Sequence, residues 1–275
     1  MNGWCIRGGT LSLERPLVMG ILNVTPDSFS DGGRYDTPET AAARARVMAA
    51  EGADILDIGA QSTRPGAEYL SAEEEWARLA PCLRAVQAAV DIPLSVDTFH
   101  PQVAARALEA GVHIINDVSG SEQNGMASVA ARYGAGMVFM RTGDPSQRTA
   151  TAEETVAAAK TYFRRVTSLA LSAGLSLSSA CVDVGIGFGS SVEGDLALIA
   201  RLDEIAAESL AAAVLVGASR KRVVREICGD DLLAGSVALH TAAMLNGAHI
   251  VRAHDVAATV AAARAVNALQ KREDI

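Results

Sequence analysis

Asp57, Asp97, Asn116 and Asp183 stand in or at the ends of short apolar runs, and their types suit the gripping of a flat, hydrogen-bonding ring. The runs, in order, are Val18–Leu22 before Asn23, Ile55–Ile58 around Asp57, Leu94–Val96 before Asp97, and Ile114–Ile115 before Asn116. Met137–Met140 precedes Arg141, Val182 precedes Asp183, Val214–Val216 leads to Ser219 and Lys221, and Ile250–Val251 leads to Arg252 and His254. Carboxylates and amides of this kind can match an amino-pyrimidinone edge by paired hydrogen bonds, which are strong in a dry pocket. Singly, each could instead cap a helix or bind loop backbone. The three carboxylates could also hold a metal, although no local His/Asp spacing supports one. Lys221 offers a compact cation for a ring or an anion, unless it is a solvated first-turn residue. Arg252 and His254 straddle one residue, so both can face one mouth and, with Asn23, make an anion pocket.

Only particular elements can bring such scattered residues together. Strands too short and too apolar to alternate are buried on both faces, the signature of a parallel sheet. Between them lie Ala-, Leu- and Arg-rich stretches long enough for helices. Eight such units closing on themselves form a (β/α)8 TIM barrel, whose strand ends converge on one mouth. The expectation is an α/β chain, one TIM-barrel domain over residues 1–275, with a short N-terminal hairpin around Gly8-Gly9 at the closed end. Helices are predicted over Thr37–Glu51, Ala72–Val90, Pro101–Glu109, Thr151–Ala173, Val192–Leu210, Gly235–Asn246 and Asp255–Gln270. Thr37-Pro38 offers a cap followed by Pro, and Ser71 with Glu74 has capping-box spacing. Gly52, Gly111, Gly134, Gly174 and Gly247 follow helices, where a left-handed residue is wanted. An open doubly wound sheet is the main rival, but GxGxxG is missing after the first strand.

Composition narrows the class. The 275 residues are 49% hydrophobic and 4% aromatic, so aliphatic side chains must fill the core. A net charge of −8 argues against partners such as nucleic acid or an anionic membrane. Cys5, Cys82, Cys181 and Cys228 are scattered without metal spacing, as expected of reduced thiols. No apolar stretch reaches the about 20 residues of a membrane span, and no signal segment opens the chain, so a cytoplasmic location is expected.

Two connections, residues 25–36 and 59–70, exceed a tight strand–helix loop and are rich in Gly, Ser, Pro and Asp, which points to function. In the second, Ser62-Thr63-Arg64-Pro-Gly66 supplies hydroxyls and a guanidinium fit for a diphosphate. Gly185-Ile-Gly-Phe-Gly189 lacks the spacing of a dinucleotide fingerprint or a P-loop. Its glycines would let backbone pass close to a flat ligand while Phe188 packs on that ligand's edge or face.

Taken in order, these segments resemble the dihydropteroate synthase family along nearly the whole chain. Gly20-Ile-Leu-Asn23-Val-Thr-Pro-Asp-Ser-Phe-Ser-Asp-Gly-Gly33 is similar to that family's first-strand signature, and Asp57-Ile-Gly with Ser62–Gly66 to its second. Ser95-Val-Asp97-Thr, Ile115-Asn116-Asp-Val-Ser-Gly120, Gly185–Gly189, Ser219-Arg-Lys221 and Arg252-Ala-His254-Asp-Val match in sequence order.

The resemblance implies a transferase of folate biosynthesis that condenses 6-hydroxymethyl-7,8-dihydropterin diphosphate with 4-aminobenzoate, giving 7,8-dihydropteroate and diphosphate. It implies that Asp97, Asn116, Asp183 and Lys221 hold the pterin. Asn23, Arg64, Arg252 and His254 would hold the diphosphate, with Asn23 on Mg2+ and Asp31 joining Arg64 in loop closure. Thr63, Phe188, Lys221 and Arg222 would border the aminobenzoate. Asp97, Lys221, Arg252 and His254 are the catalytic candidates. The resemblance further implies a homodimer and a sulfonamide target. Departures from the pattern fall at Val184 where Pro is usual, Ser190 where Lys is common, Ala60-Gln61 where Gly-Glu is usual, and Met140–Pro145 after the fifth strand. Two other readings share the pterin pocket: a methyltetrahydrofolate-binding domain of a corrinoid methyl-transfer system, and a catalytically silent paralogue.

Overall fold

The computed structural model describes residues 3–25, 37–61, 69–120, 125–143 and 148–271. Eight parallel strands close into a barrel: β3 (Leu17–Asn23), β4 (Ile55–Gly59), β5 (Leu94–Asp97), β6 (Ile114–Asp117), β7 (Gly136–Met140), β8 (Ala180–Asp183), β9 (Ala213–Val216) and β10 (Ile250–Ala253). They pair in sequence order, and β10 closes the ring on β3 through Ile250–Leu17 to Ala253–Gly20. Helices α1 (Pro38–Ala50), α2 (Ala72–Gln87), α3 (Pro101–Glu109), α4 (Met126–Tyr133) and α5 (Ala152–Ser172) follow successive strands. The second half adds α6 (Val192–Ala200), α7 (Leu202–Ser209), α8 (Arg222–Cys228), α9 (Leu232–Leu245) and α10 (Val256–Gln270).

The strands are apolar on both faces because each face has its own core. Val18, Leu22, Leu56, Ile58, Val96, Ile115, Val182, Val214, Val216 and Val251 point outward and pack against the helices. Leu17, Met19, Ile55, Ile114, Val138, Cys181, Leu215 and Ile250 point inward and fill the lower half of the barrel. Further along six of the eight strands an inward position turns polar, at Asn23, Asp57, Asp97, Asn116, Asp183 and Arg252, whereas β7 and β9 bring Met140 and Gly217 to the cleft. The period-two alternation therefore separates packing from chemistry along those six strands.

The hairpin is β1 (Gly3–Ile6) paired antiparallel to β2 (Gly9–Ser12). Trp4 and Ile6 join the inward cluster and seal the N-terminal end, with Trp4 Nε1 donating to Ser179 O (2.9 Å). Ser71 caps α2 in a full capping box with Glu74, as its spacing predicts, and Thr37 caps α1 as expected, its box closed by Thr40. All five predicted post-helix glycines have positive φ.

Three helix expectations need correction. The segment Val192–Leu210 is two helices, because Arg201 leaves helical geometry (φ −117°, ψ 33°) and Asn246 Nδ2 donates to the Ile199 carbonyl (3.0 Å). The segment Ala72–Val90 ends at Gln87. The last-but-one helix begins at Leu232 rather than Gly235, capped by Asp231 through Ala234 N–H (3.1 Å). α4 and α8 were not among the predicted segments; both are short, at eight and seven residues.

Candidate active site

One cleft of about 1210 Å³ opens at the C-terminal end of the barrel. Asn23, Asp97, Asn116, Asp183, Phe188, Lys221, Arg222, Arg252 and His254 all line it, so the described residues predicted for the site do converge. Asp31, Thr63 and Arg64 lie outside the described residues, as does the rest of the Ser62–Gly66 segment.

The floor is an ionic lattice built on Asp57, which the sequence placed near the mouth but to which the family resemblance gave no role. Asp57 is fully buried, and its Oδ2 accepts from Arg252 Nε (2.7 Å) and Asn116 Nδ2 (2.9 Å). Arg252 Nη2 also donates to Asp97 Oδ2 (3.0 Å). The Arg252 guanidinium, expected in an anion pocket with Asn23 and His254, thus also bridges two carboxylates. Among the described residues, the lattice leaves Asp57 Oδ1 and Asn116 Oδ1 buried without a hydrogen-bond partner. Buried acceptors in that state cost free energy, and a ligand offering N–H groups would recover it.

Transfer out of water dominates the electrostatics. It pushes the Asp97 carboxyl up to about 7, against the pull of Arg252 and with added repulsion from Asp57. Asp183 is pushed up by the same cause, opposed by Lys221 and by the Gly185 N–H on its Oδ1 (2.9 Å). Desolvation brings Lys221 down to about 8, with Asp183 holding it up. Its Nζ donates to Ile186 O (2.7 Å) and sits 4.7 Å from the centre of the Phe188 ring, a cation–π contact. Lys221 is the residue just before α8 and leans into the cleft, so it is not a solvated first-turn residue.

The Gly185–Gly189 segment packs tightly enough to demand glycine. Gly185 has φ +71°, and a Cβ there would collide with the Arg141 carbonyl. Beneath it lies a group that sequence reasoning missed. Asp195 on α6 is fully buried, accepts from Gly187 N–H on Oδ1 (3.0 Å), and is pushed up to about 6 by desolvation. Arg141 Nη1 donates to Ser190 Oγ (3.2 Å), and Arg222 Nη2 to Ser190 O (2.8 Å). Ser190, one of the departures from the family pattern, is thus where two guanidinium groups meet the loop. Nothing in the spacing of Asp195 or Arg141 revealed these contacts, since both depend on how α6 folds back over the strand ends.

His254 carries the other rim. Its N–H donates to Ser219 Oγ (3.2 Å), and its Nδ1 lies 3.0 Å from the same oxygen. Gln61, a second departure, accepts from Leu70 N–H (3.1 Å) and so ties together the two ends of the connection it opens. The four histidines other than His254 make structural contacts: His113 Nδ1 accepts from Leu94 N–H, His249 Nδ1 from Val214 N–H, His240 Nε2 from Ala218 N–H, and His100 Nε2 lies 3.0 Å from Leu70 O. Among the described residues, no three His, Cys, Asp or Glu side chains form a group able to hold a metal. No described helix is long and apolar enough to cross a membrane.

A parallel barrel with amides, carboxylates and cations at its C-terminal mouth is the architecture of a barrel enzyme that binds a flat, hydrogen-bonding substrate. The family profile described as pterin binding enzyme matches residues 19–254. The dihydropteroate synthase of Escherichia coli (strain K12) is 38% identical over 268 residues, covering 95% of this chain and 94% of that one. A solved dihydropteroate synthase of Xanthomonas albilineans with 4-aminobenzoic acid superposes with a TM-score of 0.86 at 42% identity, over 95% of each chain. That of Thermus thermophilus in complex with 6HMPPP gives 0.81 at 39%, over 98% of this chain and 99% of that one. The chain belongs to the dihydropteroate synthase family of pterin-binding enzymes.

Proposed function

We propose that this chain condenses 6-hydroxymethyl-7,8-dihydropterin diphosphate with 4-aminobenzoate, forming 7,8-dihydropteroate and diphosphate. The observation that carries this reading is the meeting of Asp97, Asn116, Asp183, Lys221 and Arg252 around one cleft. Asp97, Asn116, Asp183 and Lys221 hold the pterin, and the unpartnered oxygens beneath it suit the ring's N–H groups. Asn23, Arg252 and His254 hold the diphosphate, joined by Arg64. Phe188, Lys221 and Arg222 border the aminobenzoate, with Thr63 beside them.

The C–O bond to diphosphate breaks first, and the departing group takes the electron pair. The cationic pterin methylene that remains lies in the field of Asp97 and Asp183. The aryl amine attacks it, forms the C–N bond and then loses a proton. The amine is already nucleophilic, so orientation and charge stabilisation carry the rate. For Mg2+, the family resemblance points to the Asn23 side chain, and among the described residues no group of three His, Cys, Asp or Glu side chains could cage the ion. That fits an ion held chiefly by substrate phosphates and water rather than by a protein cage. Such an ion would neutralise charge growing on the leaving diphosphate. The barrel is read as a single domain, and a homodimer through the outer helices and sensitivity to sulfonamides belong to the same proposal.

Purified protein supplied with Mg2+, the pterin diphosphate and 4-aminobenzoate should release diphosphate and form dihydropteroate. A folded protein that binds pterin but releases no diphosphate would instead be a silent paralogue.

A further inference from the structure

The turn that carries Lys221 is strained in a way that the ligand contacts above do not explain. Lys221 N–H donates to Ala218 O (3.2 Å), closing a four-residue turn whose third residue, Arg220, has φ +56°. Turns with positive φ at that place ordinarily use Gly, which has no Cβ to crowd the backbone. A side chain persists there only when its surroundings over-determine it. Arg220 has such surroundings. Its N–H donates to Ser236 Oγ on α9 (2.9 Å). Its guanidinium forks onto Asp255, with Nε to Oδ2 (3.0 Å) and Nη2 to Oδ1 (2.6 Å). Asp255 opens α10 yet makes no side-chain cap to its own helix, so the carboxylate serves the fork instead.

The fork spans a gap in the sheet. β9 and β10 pair through Leu215–Ile250 and Val216–Val251, after which the two chains run on towards the cleft. Lys221 stands on one and Arg252 with His254 on the other. Across that gap lie the Arg220–Asp255 fork and the contacts of Ser219 Oγ with His254. A bidentate guanidinium–carboxylate pair fixes direction as well as distance, which a single hydrogen bond does not.

We propose that Arg220, which lines the rim of the cleft with Asp255, is a positioning residue: through Asp255 it sets the Lys221 end against the Arg252/His254 end, its guanidinium held by the carboxylate rather than by substrate. Breaking the bond between pterin methylene and diphosphate needs both ends held in register at once. The assignment rests on the proposed condensation, but its test does not depend on turnover.

The variants are Arg220→Gly, Asp255→Asn, the double variant and Arg220→Lys. Glycine relaxes at φ +56°, so the Arg220→Gly backbone is not strained and its thermal midpoint stays near that of the parent. Misplacement of reacting groups by about an ångström lowers rates by up to about a hundredfold, so kcat should fall by about ten- to a hundredfold. KM for 4-aminobenzoate, whose pocket Lys221 borders, should rise by much less than kcat falls. Affinity for inorganic diphosphate with Mg2+, read by calorimetry, should fall by about tenfold in both single variants, and the double variant should be no worse than either, as expected of two residues acting as one device. Arg220→Lys keeps the charge but not the fork and should recover part of the loss. Losses that add in the double variant, or an Asp255→Asn protein with full diphosphate affinity, would mean that the guanidinium acts on the ligand directly and would overturn the proposal. If the parent enzyme released no diphosphate, the function would fall, while the calorimetry would still decide the role of Arg220.

Discussion

Asp97→Asn should yield a protein that is more stable at pH 8 and a poorer binder of pterin. Asp97 accepts from Arg252, yet desolvation outweighs that attraction, and Asp57, Glu75 and Asp117 add repulsion. Its carboxyl therefore titrates at about 7 instead of the ordinary 3.8. The folded-state value is raised, so between these limits the folded chain keeps a proton that the unfolded chain has released. Stability from this group then falls as pH rises through the window. About three pH units at about 1.4 kcal/mol each put the full cost of ionisation near 4 kcal/mol. Asn is isosteric, cannot ionise and retains an oxygen for Arg252. With some loss from the reoriented amide, the variant should gain about 2–4 kcal/mol at pH 8 and nothing near pH 4. Urea unfolding of both proteins across pH 4–8 gives the difference curve. Pterin affinity should fall by about 1–3 kcal/mol, the range for a hydrogen bond to a charged group. A flat difference curve, or a variant less stable at pH 8, would refute the argument, because Asp97 would then be ionised without strain in the parent.

Other perturbations test separate parts of the cleft. Arg252→Ala strands two carboxylates and should cost about 3–5 kcal/mol at pH 8 in urea unfolding, less at pH 5 where Asp97 is protonated. Since Arg252 bridges Asp57 and Asp97, calorimetry should show pterin affinity falling along with diphosphate affinity. Lys221 is brought down to about 8, so parent pterin affinity should decline between pH 7 and 9 as the ammonium is lost. In Lys221→Met that decline should vanish, with affinity about 1.5–3 kcal/mol weaker at pH 7. Gly185→Ala places a Cβ against the Arg141 carbonyl at positive φ. It should raise KM for 4-aminobenzoate and lower the thermal midpoint together, because the displaced loop carries Phe188. Trp4→Ala leaves a void at the sealed end, costing about 3–5 kcal/mol in urea unfolding, while kcat and KM at the far mouth stay unchanged.

The barrel was legible because eight short apolar runs, too short to alternate, recur between stretches long enough for helices. In five of the runs the polar residue at the end takes an inward position beyond the packed layer, so Asn23, Asp97, Asn116, Asp183 and Arg252 could be assigned to one mouth from their place in the runs. Connectivity among them was not legible. Asp57 lies inside an apolar strand, and a carboxylate there needs a buried partner, but nothing in the chain order says that the partner is Arg252, 195 residues away. Asp195 was invisible for a related reason, since its partner is the Gly187 N–H of the turn before α6, and Arg141, though it ends an apolar run, gave no sign of its contact with Ser190. The same gap explains why the diphosphate and pterin roles look separable along the chain. In the folded protein a single guanidinium joins the two groups of residues. An anion arriving at Arg252 must therefore compete with Asp57 and Asp97, and the raised Asp97 carboxyl makes that competition pH-dependent: protonating Asp97 frees one edge of the guanidinium.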